Sequence, residues 1–273
     1  MEQLSIKELK NIITEANIKI PSGIEKSELI QIAKQAQDIL EQRKTIGAAN
    51  AYPRVRQFGT KLEECQAIFL FFHGYGADEF QFDFLQTLIS PLKKIAFICP
   101  KSPDEGWWPL NIIEWAIAMQ NPAALMAKLR ETPKGLPAAR EQAKKYISYL
   151  ERTAPKGVPI LIGGFSQGGC FAVDLALSLE PQQRPIYLAA FSSLIVDLNY
   201  WTQQAKIHNN NIRALVTHGD NDPIIPSTAS EILTNLLKEA GGSVRFERHP
   251  GAHDLGGPEI FRAIQEFFER VVS

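Results

Sequence analysis

The sequence is short of several things, and each shortage narrows what the chain can be. No apolar run approaches the ~20 residues of a membrane-spanning helix, so no span is expected. Neither sign of charge is in excess. Lysine and arginine number 29 and aspartate and glutamate 30, a net charge of −1, which gives no electrostatic ground for nucleic acid or an anionic membrane as partner. Cysteine is scarce and odd in number. Cys65, Cys99 and Cys170 form no CxxC pair, which fits reduced thiols in a reducing compartment, and the cytoplasm is the expected location. The opening MEQLSIKELK has no basic segment leading into an apolar one, so no secretory signal is expected. With Glu2 in place of glycine, N-myristoylation is not expected. Residues 1–44 contain no Phe, Trp or Tyr at all. No internal repeat and no low-complexity segment interrupts the 273 residues, which suffice for one large domain and a small appendage.

What is present divides into two textures. In residues 1–44 the spacing predicts two amphipathic helices. Leu9, Ile12, Ile13 and Ala16 form the i, i+3, i+4, i+7 stripe of the first, with Ser5 as N-cap and Glu8 closing a capping box. Leu29, Ile32, Ala33, Ala36 and Leu40 form the stripe of the second, and Pro21 and Gly23 break the link between them. Residues 45–60 read as linker and entry strand. From residue 61 onward short apolar runs alternate with helical patterns: QAIFLFF, KIAFICP, PILIGGF, PIYLAAF, IRALVTH and SVRFERH, with AREQAKKYISYLE, CFAVDLALSLE and ASEILTNLLKEA among the helices and PEIFRAIQEFFERVV closing the chain. Near-continuous apolar strands separated by helices predict an α/β domain whose mostly parallel sheet is covered on both faces.

One junction in that pattern stands out. Gly164-Phe165-Ser166-Gln167-Gly168 is a GxSxG match, of which chance supplies roughly 0.06 in a chain of this composition. A buried strand precedes Ser166 and a helix follows it. The turn of a nucleophile elbow is sharp enough to demand glycine on both sides of the serine. The competing reading is a serine N-cap beside a glycine-rich packing contact. A serine hydroxyl needs a base, and in the elbow architecture acid and histidine follow it in chain order. Position favours His253, in the glycine-rich loop after the strand SVRFERH, with His249 at the end of that strand as the rival. His208, in the polar run HNNN, reads as a solvated loop residue. The acid lies in GDNDP. Asp222 is favoured because Pro223 holds it extended, and Asp220 reads as a turn-capping residue. A metal bound by His218, Asp220 and Asp222 lacks any further ligand cluster, so no metal or other cofactor is expected. The loop after the first apolar strand, His73-Gly74-Tyr75-Gly76, can aim a backbone N–H at the site, beside that of Gln167; the plain alternative is an ordinary strand-end turn.

HGYGAD, GFSQGG, HGDNDPIIP and GAHDL, in this order, resemble the acyl-protein thioesterase and carboxylesterase family of α/β hydrolases over residues 66–272. The resemblance implies the α/β-hydrolase fold, with Ser166, Asp222 and His253 as triad and the Tyr75 and Gln167 N–H groups as oxyanion donors. It implies cofactor-free hydrolysis of esters, lysophospholipids or acyl thioesters. A catalytically silent protein that holds an acyl chain on the same fold is the alternative. Residues 105–137 look longer than in the short thioesterases and concentrate Trp107, Trp108, Leu110, Ile113, Trp115 and Met119, as an apolar, lid-like acyl groove or as plain core. Residues 1–44 resemble a SAP-like helix–extended–helix module through IKELK and PSGIEKSELI. Such modules include nucleic-acid binders, but seven basic and seven acidic residues leave no basic footprint here, and a hairpin that docks a protein or merely stabilises the chain is the better expectation.

Overall fold

The computed structural model describes residues 4–15, 20, 24–49, 52, 54–85, 94–181 and 185–272. The chain divides into two compact units, 1–51 and 52–273.

The first unit is a pair of helices, α1 (Ile6–Glu15) and α2 (Lys26–Ala49). The capping box forms: Glu8 Oε2 accepts from Ser5 N at 2.8 Å and from Ser5 Oγ at 2.6 Å, and Glu8 N donates to Ser5 Oγ at 3.3 Å. Leu9 and Ile13 bury against Leu29, Ala33 and Ala36, with Ile12 and Ile32 at the edge. Ala16 and the Leu40 side chain lie outside the described residues. Helix α2 runs on to Ala49, past the residue-44 end read from the sequence. Good helix formers (Glu41, Gln42, Arg43, Lys44) carry it forward, and no proline stops it.

The second unit is built on a seven-stranded sheet in the order β1-β3-β2-β4-β5-β6-β7. Its strands are β1 (Val55–Gly59), β2 (Ala67–Phe72), β3 (Ile95–Pro100), β4 (Ile160–Phe165), β5 (Ile186–Phe191), β6 (Ile212–Gly219) and β7 (Ser243–His249). β1 pairs antiparallel with β3 and every other pairing is parallel. Parallel neighbours need crossovers, and helices supply them: α3 (Ile112–Met119), α4 (Pro122–Arg130), α5 (Leu136–Thr153), α6 (Gln167–Ser178), α7 (Leu198–His208), α8 (Thr228–Glu239) and the closing α9 (Pro258–Val272). The two-residue period of β2 divides its side chains between the layers. Phe69 packs on Phe268 of α9 at 4.7 Å between centroids, while Phe72 packs on Phe171 of α6 at 4.8 Å. All six residues of β2 are buried, as covering on both faces requires.

Helix α6 is buried throughout, and Asp174 sits in it fully enclosed. The fork of Arg140 on α5 meets that carboxylate with two bonds of 2.7 Å, and Trp201 Nε1 on α7 donates to it at 2.9 Å. Removing one partner of a buried pair costs about 3–5 kcal/mol, because the other charge is stranded. The pair therefore clamps three helices behind the end of α6 that carries Ser166. His208 is not the solvated loop residue expected. It ends α7 buried, with Nε2 donating to Leu177 O at 2.9 Å.

Burial pushes up all three thiols, Cys99 to about 12. Native protein is therefore expected to resist a disulfide-exchange reagent such as dithionitrobenzoate, and denatured protein to titrate three thiols. Rapid reaction of native protein contradicts this placement.

Candidate active site

Ser166 occupies the turn between β4 and α6 with φ 54° and ψ −120°. A non-glycine residue there stores about 1–3 kcal/mol of strain, held only because the surroundings leave no alternative. Those surroundings are the flanking glycines. A Cβ on Gly164 would collide with Gly168 O, and one on Gly168 with Phe72 O and His73 O. Ser166 N donates to Phe191 O on the neighbouring strand at 2.9 Å, which fixes the turn at the strand ends.

The β6–β7 pairing continues past the sheet and brings two loops together. Asp220 N donates to His249 O at 2.7 Å, Asn221 N to Gly251 O at 3.0 Å, and Asn221 Nδ2 to Pro250 O at 2.8 Å. Ser192 Oγ, at the end of β5, donates to Asp254 O at 3.2 Å. This lacing puts Asp222 against His253, whose Nδ1 donates to Asp222 Oδ2 at 2.7 Å. The other carboxylate oxygen accepts from Ile224 N and Ile225 N at 2.8 and 2.9 Å. With Nδ1 donating, Nε2 is the basic nitrogen of His253. Its ring lies 4.8 Å from that of Phe165, the residue before Ser166.

The rivals lie elsewhere. His249 is buried at the end of β7 and its Nδ1 accepts from Gly251 N at 3.2 Å. Asp220 pairs with Arg248 at 2.6 Å on the surface. His218 holds no ligand geometry: its Nε2 donates to Ile225 O at 2.8 Å and faces Asp222 Oδ2 at 3.3 Å, while its Nδ1 accepts from Ser230 Oγ at 2.7 Å. It meets the same carboxylate oxygen that accepts from His253. Its motif position was legible, its partners were not.

Ser166 and His253 open onto one cavity of about 470 Å³, also lined by Gly74, Tyr75, Trp108, Leu110, Trp115, Met119, Gln167, Leu194 and Ile225. Gly74 stands so close that an added Cβ would lie 3.6 Å from Ser166 Cβ. The N–H groups on either side of Tyr75 are engaged, Gly74 N with Gln81 Oε1 and Gly76 N with Glu105 O. Gln167 begins α6, where the first N–H groups have no partner within the helix. The segment 105–137 divides between wall and core. Trp108, Leu110, Trp115 and Met119 face the cavity, and Ile112, Ile113 and Ile117 of α3 are exposed. Trp107, expected in the groove, does not line it. It is 4% exposed, stacked on Phe171 at 5.2 Å and set edge-on to Phe72 at 4.9 Å. The bends through 103–108 turn the two neighbouring side chains apart, Trp107 to the core and Trp108 to the cavity.

A strained serine between strand and helix, above a parallel sheet and beside a histidine–aspartate pair in an apolar cavity, is the architecture of an α/β hydrolase. The chain belongs to the phospholipase/carboxylesterase family, whose model matches residues 57–272. It is therefore an enzyme, a hydrolase of carboxylic esters. Acyl-protein thioesterase 1 of Neurospora crassa is 26% identical over 185 residues, 64% of this chain and 74% of that one. Among solved structures, esterase PE8 matches with a TM-score of 0.63 at 21% identity, over 79% of this chain and 97% of that one. Acyl-protein thioesterase 2 of Zea mays matches with a TM-score of 0.59 at 17% identity, over 81% and 99%. The family match leaves the N-terminal helices outside it. Among the described residues no helix is long and apolar enough to cross a membrane.

Burial outweighs the Ile225 carbonyl and the Asp222 carboxylate and holds the pKa of His218 below its ordinary value; burial does the same to His73. The neighbouring His253 and His249 push His218 the same way. As pH falls through the ordinary histidine value of about 6.5, the unfolded chain takes up protons first. The stability these groups contribute is thus whole above that value and declines from there toward their folded values. The melting temperature is expected to fall between pH 7 and pH 5.5, and His218→Asn to flatten that fall. An unchanged slope in the variant contradicts the assignment.

Proposed function

We propose that the chain hydrolyses esters and thioesters of apolar acyl chains through Ser166, His253 and Asp222. His253 Nε2 takes the proton from Ser166 Oγ as the oxygen adds to the acyl carbonyl. The Tyr75 and Gln167 N–H groups receive the charge that develops on the carbonyl oxygen, and the partial positive end of α6 adds to it. The imidazolium then protonates the departing alkoxide or thiolate, leaving acyl-Ser166. Water, deprotonated by the same nitrogen, adds to the acyl carbonyl; the bond to Ser166 Oγ breaks, the imidazolium returns its proton to that oxygen, and the acid leaves. Asp222 holds the Nδ1 tautomer and stabilises the imidazolium. The observation that carries this reading is the 2.7 Å His253–Asp222 bond at the cavity onto which Ser166 opens. The thioesterase name of the Neurospora crassa relative supports the thioester half, and the apolar wall of Trp108, Leu110 and Met119 supports an acyl chain. Family membership favours the enzyme over the silent acyl-binding protein. The buried free thiols fit the cytoplasm.

Residues 1–44 supply none of these groups. We assign them to a separate docking module for a protein partner, in keeping with the SAP-like resemblance and the balanced charge, and not to nucleic acid.

A fluorophosphonate probe is expected to label wild-type protein once. Ser166→Ala should abolish labelling and lower turnover of p-nitrophenyl esters by several powers of ten. Persistent labelling overturns the nucleophile. A truncated chain beginning at Tyr52 should keep kcat/KM for short esters within a few-fold of the full chain; a folded truncation that loses most of its turnover refutes the separation.

A further inference from the structure

Gln167 enters the reading above through its backbone, yet its side chain is just as constrained. It is 5% exposed, and both ends of the carboxamide are used. Oε1 accepts from Trp107 N at 3.1 Å and Nε2 donates to Trp108 O at 2.9 Å. A Cβ on Gly106 would collide with Oε1, so the chain at 106 is bare where the carboxamide docks. The indole of Trp107 continues the path: Nε1 donates to His73 O at 2.8 Å. His73 is held in turn. Nδ1 bonds Gly74 O at 2.7 Å, and Nε2 accepts from Ser102 N at 3.1 Å. The chain of bonds leads from the residue after Ser166, through Trp107, to the peptide two residues before Tyr75.

We propose that the Gln167 carboxamide and the Trp107 indole are positioning residues that set the spacing between the two oxyanion donors. This rests on the reading of Tyr75 N and Gln167 N as those donors. The physical need is plain. The donors come from different segments, the loop after β2 and the turn after β4. Each must lie about 2.7–3.1 Å from one oxygen atom of the transition state. Strand pairing ends at Phe72 and Gly164, so the loop from His73 to Gly76 lies beyond the ladder. The Gln167–Trp107–His73 bonds tie it back to the elbow. Misplacement by about 1 Å at such a site costs on the order of a hundredfold in rate. The amide is also the right group for the bracket. Glutamate would set a second acceptor against Trp108 O, and leucine would leave a buried N–H and a buried C=O unpartnered.

The test uses the full chain and p-nitrophenyl butyrate. Gln167→Leu is expected to lower kcat roughly tenfold to a hundredfold with KM within a few-fold. Affinity for an alkyl trifluoromethyl ketone, to which Ser166 adds to form a tetrahedral oxyanion adduct, should weaken in parallel. Affinity for the corresponding alcohol, which makes no oxyanion, should hold. Trp107→Phe keeps an aromatic ring against Phe171 and loses the bond to His73 O together with a little buried volume. It should act in the same direction, and the double variant should be little worse than Gln167→Leu, because both break one path. Complete fluorophosphonate labelling of Ser166 in both single variants shows that the nucleophile is intact. Failure of the wild type to label sinks the reading of the site itself and the positioning with it. If Gln167→Leu does not fold, Trp107→Phe decides by the same two affinities. The proposal is overturned if the folded variants keep kcat/KM near wild type, or if ketone and alcohol affinities fall equally.

Discussion

Everything at this site depends on how closely the start of α6 approaches the end of β2. Gly168 lies against Phe72 O and His73 O with no room for a side chain between them, and Gly164 lies against Gly168 O with none either. This contact forces the turn tight, and the tight turn drives Ser166 to φ 54°. It also brings the first turn of α6, with its unpaired N–H groups, beside the loop that carries Tyr75. The strain at Ser166 and the meeting of these two segments are thus one consequence of a single close packing. The Arg140–Asp174–Trp201 clamp on the far side of α6 resists the relaxation that would undo it.

The polar groups around the site follow from the cost of burial. A histidine in an apolar interior is cheapest when neutral and bonded at both nitrogens. His218 has a hydroxyl on one side and a carbonyl on the other; His73 has a carbonyl and a backbone N–H. His253 differs, because its Nδ1 alone meets a carboxylate and its other side faces the cavity. That asymmetry separates His253 from two buried histidines bonded at both nitrogens. It is visible only in the partners.

The apolar character of the cavity extends outward. Ile113 is 73% exposed and Ile117 62%, on a helix whose one charged residue is Glu114. Helix α3 therefore departs from the amphipathic pattern of a surface helix. Its inward residues, Trp115 and Met119, belong to the cavity wall.

Local patterning determined the strands, the helices that cross between them, the capping box at Ser5 and the order of the motifs. Each is written in spacings of two to seven residues, within which the backbone period decides where a side chain goes. The elbow belongs here too, since glycine at 164 and 168 records a steric demand within the turn. Tertiary structure decided the rest. The loops after β6 and β7 lace together, which sets His253 rather than His249 against Asp222 and leaves Asp220 with Arg248 on the surface. Trp107 went to the core and Trp108 to the cavity, two neighbours of identical chemistry that no composition distinguishes. His208 found a carbonyl 31 positions away. The extent of α2 escaped the pattern because a helix end without proline or a strong cap leaves a weak local mark. Pairings across long stretches of chain depend on which surfaces the whole sheet brings together, and that information is held by the fold and not by any one segment of the sequence.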